Sequence, residues 1–172
     1  MVWARTKLMI WDYIFEPVKQ IQVSYSGKHP EKLYKKINEL IRTVFNVPDA
    51  YVQEKEYNWE KEKDIERFTI DWEVSKILDL YSYLAYEVSL KGFVAGGEGR
   101  AVIRIKPRLI TEYPQDTVWQ QNIIYEMLRR FWHRMFYHHK RMEYLNMGKE
   151  MCVNFEGSIK HYMEMIKEGH DG

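Results

Sequence analysis

From Ala50 to Tyr113 the chain repeatedly alternates apolar and polar side chains with a period of two. That period constrains the fold more than any other feature. Successive side chains of a strand point to opposite faces, whereas a helix gathers its apolar residues at steps of three and four. Arg67–Val74 is the clearest case, with Phe68, Ile70, Trp72 and Val74 set against Thr69, Asp71 and Glu73. Tyr51–Trp59 precedes it, joined through the charged run Glu60–Asp64. In Leu80–Leu90, one parity holds Leu84, Tyr86, Val88 and Leu90. Gly92 and Gly96-Gly97-Glu98-Gly99 predict a turn, since glycine takes positive φ freely. In Arg100–Tyr113, Ala101, Ile103, Ile105 and Leu109 oppose Arg104, Lys106 and Arg108. Four sequential strands with short turns predict an antiparallel meander with one wet face.

The flanks read differently. Leu8–Tyr25 also alternates, and Pro17 within it implies an edge position, a bulge or two shorter strands. After the turn Ser26–Pro30, the residues Leu33, Ile37, Leu40, Ile41 and Val44 follow helical steps, and Pro48 lies just beyond. From Asp116-Thr117, a helix cap, the pattern stays helical to the end. Ile124, Leu128, Phe131, Met135, Met142 and Leu145 mark one stripe; Cys152, Phe155, Ile159, Tyr162 and Ile166 mark a second. The stripes slip in phase around Asn146-Met147-Gly148, which predicts a helix end there. The expected organisation is an α+β domain over residues 1–147 and a helical extension over 148–172. In the domain, a curved antiparallel sheet of about five strands grips a long C-terminal helix, with one short helix after the first strand.

Composition excludes several function classes. Twenty-six Lys and Arg against 25 Asp and Glu leave a net charge of +1, unlike a bulk polyanion binder. The single cysteine, Cys152, allows neither an internal disulfide nor a cysteine zinc cage. No apolar run reaches a membrane span, and Trp11 and Asp12 interrupt the stretch a signal peptide would need, so the expected location is cytoplasmic. His133, His138 and His139 lack the three- or four-residue spacing of a helical metal site. Gly96-x-x-Gly99 lies between strands and lacks the features of a phosphate loop. No nucleophile elbow or other catalytic motif occurs, and no metal or cofactor is expected.

The order strand, helix, antiparallel strands, long helix over residues 8–145 resembles the helix-grip arrangement of the START and Bet v 1-like superfamily. That resemblance implies a cavity between sheet and helix for an apolar ligand. The inward aromatics Trp72, Tyr86, Trp119, Phe131 and Trp132 are its candidate lining, an apolar or aromatic small molecule its candidate occupant. The Cys152–Ile166 stripe either folds back on its own sheet or pairs with a partner, which makes a homodimer or protein-docking module the alternative function. A third reading uses the basic, aromatic segment holding Arg129, Arg130, Arg134 and Arg141 to contact RNA or an anionic membrane. The same residues equally suit a solvated helix face, where long cations ordinarily sit.

Overall fold

The computed structural model describes residues 7–114, 123–132, 135 and 137–169. Six antiparallel strands form one open sheet: β1 (Lys7–Tyr13), β2 (Ile21–Lys28), β3 (Val52–Glu62), β4 (Ile65–Ile77), β5 (Ser82–Ala95) and β6 (Glu98–Pro114). Their order is β1-β6-β5-β4-β3, with β2 also paired to β6. The long β6 carries both N-terminal strands, β2 along Glu98–Ile105 and β1 along Arg108–Pro114. Among the described residues there are six strands rather than five because the alternating N-terminal stretch splits around Pro17. Both parts pair with β6, whose own N–H groups serve the two in turn.

Helix α1 (Leu33–Val44) follows β2, and its Leu33, Ile37, Leu40 and Ile41 are buried. Gly92 does not turn the chain. It sits inside β5, where a Cβ would come within 2.5 Å of the Phe68 ring, and the reversal is made by Gly96 and Gly97 at positive φ. Close approach, not turning, is what this glycine supplies.

Among the described residues the C-terminal region holds α2 (Ile123–Trp132) and α3 (His138–Glu168). Between them Met135 and Tyr137 take π-helical geometry. The helix end expected at Asn146–Gly148 is absent, and α3 runs straight through it for 31 residues. The reason is packing. A Cβ on Gly148 would lie 2.5 Å from Ile14 Cδ1 and 3.1 Å from Leu84 Cδ2, so the glycine lets α3 settle onto the sheet. From there Cys152, Phe155, Ile159, Met163 and Ile166 are buried against the inner face. Phe45 stacks on Tyr86 with ring centroids 4.1 Å apart and on Phe155 at 4.9 Å, joining α1, sheet and α3 into one core. The sheet thus grips a long C-terminal helix. The gripped segment is the Tyr144–Ile166 side of α3, and the Ile124–Met135 stripe lies outside the core.

Candidate functional site

A polar cluster fixes the start of α3 to the sheet. Asp79, in the β4–β5 connection, accepts the backbone N–H groups of Tyr81 and Ser82 at 2.8 Å each, an Asx-type turn. Its other oxygen accepts the hydroxyls of Tyr137 at 2.7 Å and Tyr144 at 2.9 Å. The Tyr137 hydroxyl also lies 2.7 Å from Ser82 Oγ, which is 2.8 Å from Thr111 Oγ1. Arg141 completes the cluster. Its Nε and Nη2 donate to Asp12 Oδ2 at 3.0 and 2.6 Å, and its Nη1 donates to Thr111 Oγ1.

The cluster's electrostatics suit a latch. Burial opposes the Asp79 charge, but the Tyr137 hydroxyl, the Tyr81 amide, the Tyr144 hydroxyl and the Ser82 amide more than offset it. The carboxyl therefore titrates below its usual range. Burial pushes the Tyr137 hydroxyl up, with Asp79 adding to the effect. Neither group changes charge near neutrality, so this pair holds its hydrogen bonds instead of shuttling protons.

Just ahead of this latch stands α2. Ile124, Met127, Leu128, Phe131, Trp132 and the following Met135 are each between 57% and 68% exposed. An apolar helix face of this kind presents on the order of 500 Å² of greasy surface, at the upper end of what a monomer ordinarily shows. Leu80 and Tyr81, also exposed, share a recess of about 420 Å³ with Trp132, Tyr113 and Tyr137.

The residues singled out from the sequence are scattered by the fold. Trp72 and Tyr86 are in the core, and Tyr86 Oη contacts Met151 Sδ at 3.5 Å. Desolvation by burial raises the Tyr86 pKa. Phe131 and Trp132 stand on exposed α2, and Trp119 lies outside the described residues. The five expected ring systems are thus not seen around one cavity. Of the second stripe, Cys152, Phe155, Ile159 and Ile166 are buried in the chain's own core, with Tyr162 half-buried beside them. Burial raises the Cys152 thiol to about 12. Of the basic set, Arg130 is exposed on α2, while Arg134 and the Arg129 side chain lie outside the described residues. Arg141 is only 4% exposed and is spent on Asp12, so it presents no charge to an outside polyanion.

The latch residues Asp79, Ser82, Thr111, Tyr137 and Tyr144 were not singled out by sequence. Asp79 carried a usable signal, since Asp followed by two residues and Ser between apolar strands marks a side-chain-capped turn. Its tyrosine partners, 58 and 65 residues away, carried none.

Among the described residues no helix is long and apolar enough to cross a membrane. Compared with protein-family models and with curated proteins, the chain matches none. Its likeness to the helix-grip arrangement is one of architecture: an antiparallel sheet holding a long C-terminal helix.

Proposed function

We propose that this protein is a non-catalytic interaction module that pairs with a second copy of itself through α2. The observation that carries this reading is the exposed Ile124–Leu128–Phe131 side of that helix, with Met135 beyond it, facing water in the single chain. With Leu80 and Tyr81 beside it, the surface approaches the roughly 800 Å² per partner that a standard interface buries. A two-fold axis alongside α2 would lay the same face against itself, helix on helix. The near-neutral chain offers little long-range repulsion between copies. The latch at Asp79 and Arg141 serves this role by fixing the start of α3, next to which α2 projects. Cytoplasmic location and membership of the helix-grip superfamily belong to the same reading.

Native mass spectrometry and size exclusion of the full chain test it. The expected species is a dimer, and Leu128→Glu with Phe131→Glu converts it to a folded monomer. A wild-type monomer at high concentration overturns the proposal. A second reading, an apolar small molecule, is favoured by one feature: the recess joining Trp132 to Leu80, Tyr81 and Tyr113 falls within the usual volume of small-molecule sites. The same mass spectrum separates the two, because a retained ligand adds its own mass to a monomer.

A further inference from the structure

The outer face of the sheet, opposite α3, carries a second surface. The register places Arg67 of β4, Phe93 of β5, Arg100 of β6 and Ser26 of β2 in one cross-strand row. The next row, about 7 Å along the strands, holds Thr69, Lys91, Val102 and Ser24. Arg104 follows in the third. Phe93 is 44% exposed, a large aromatic set in register between Arg67 and Arg100. Among the described residues Arg67, Lys91 and Arg100 make no ion pair.

The same face behaves differently further up. There Glu73 pairs with Lys55 at 2.8 Å, and Glu87 pairs with Arg108 and, at 3.7 Å, with Lys106. Acids and bases are matched in that half and unmatched around Phe93, where Asp71 and Glu98 stand at the two margins. A groove of about 500 Å³ adjoins the patch, its charged and aromatic lining being Lys28, Phe93, Arg100 and Lys167 with one acid, Glu98, at its margin.

We propose that this half of the sheet binds single-stranded nucleic acid, with a base stacked on Phe93 and phosphates held by Arg67, Lys91 and Arg100. Three uncompensated cations around an exposed ring supply both parts of such recognition. The guanidinium and ammonium groups hold phosphate oxygens, and the ring offers its face to a base of any identity. A duplex keeps its bases stacked on one another and cannot use the ring. Specificity for single strands over duplex therefore follows from Phe93, and affinity from the cations.

Fluorescence anisotropy of a labelled oligouridylate with the full chain tests the proposal. Binding is expected at low salt, falling with log salt at a slope of about −2 for three phosphate contacts. Phe93→Ala weakens it about ten-fold, Phe93→Tyr retains it, and Arg67→Ala with Arg100→Ala weakens it at least as much as Phe93→Ala. Arg130→Gln, on α2, leaves it unchanged. Because these side chains are exposed, circular dichroism and melting of each variant should match wild type. Absence of binding at low salt, equal affinity for a duplex of the same length, or indifference to both the ring and the arginine variants overturns it. So does loss of binding in Arg130→Gln. Binding to phosphatidylserine vesicles that ignores Phe93 and outcompetes the oligonucleotide overturns it in favour of an anionic surface.

Discussion

Gly148 and Gly157 lie nine residues apart in α3 and do opposite things. At Gly148 a Cβ meets the buried Ile14 and Leu84 side chains, whereas at Gly157 nothing stands within 4 Å. Alanine gains about 1 kcal/mol over glycine in a helix interior. Overpacking a tight contact costs about 1–3 kcal/mol. Gly157→Ala is therefore expected to stabilise by about 0.5–1 kcal/mol and Gly148→Ala to destabilise by about 1 kcal/mol. Urea midpoints moving in the same direction for both variants would contradict the close approach of α3 to the sheet. In the sequence both are simply glycines in a helical stretch. The phase slip at Asn146–Gly148 was visible, but whether it meant an end or a contact depended on Ile14, more than a hundred residues away.

Two features of the elements were decided by partners distant in the chain. The period-two strands and the α1 stripe were legible because half-buried elements write their burial into local alternation. The N-terminal stripe of the last region looked equally well suited to a core, yet the sheet's inner face is already filled by α1 and the Cys152–Ile166 side of α3. The latch that starts α3 has a pH signature. Because hydrogen bonds hold the folded Asp79 carboxyl below its unfolded value of about 3.9, its contribution is fully present above about pH 4. That contribution is lost as pH falls through the depressed folded value. Melting temperatures of wild type and Asp79→Asn are thus expected to differ near neutrality and to converge in acid. A gap that stays constant from about pH 6 to pH 2.5 would remove Asp79 from this role. Arg141 belongs to the same element-scale lesson. Its sequence neighbours made it look like part of a basic surface, while Asp12 on β1 draws it inward.

At the scale of the molecule, apolar surface on α2 and Leu80 is concentrated near the latch, and unpaired positive charge lies around Phe93 on the outer sheet face. The two proposed contacts rest on different forces and should separate by salt. Raising ionic strength to about 0.5 M is expected to leave a dimer intact, since burial of apolar surface is not screened, while releasing an oligonucleotide. Dissociation of both, or of neither, on the same titration would show that the surfaces had been assigned the wrong forces. By itself the sequence determined that a curved antiparallel sheet would carry a helix on one face, because period and turn chemistry are local and alternate residues of a strand share a face whatever it pairs with. Only the tertiary structure decided which helical stripe that face accepts, that α3 runs on through Gly148, and which outward residues become neighbours. Register and packing join Arg67 to Phe93 and Arg100, and Gly148 to Ile14. Such pairings arise from several strands closing on one another, and no single stretch of chain encodes them.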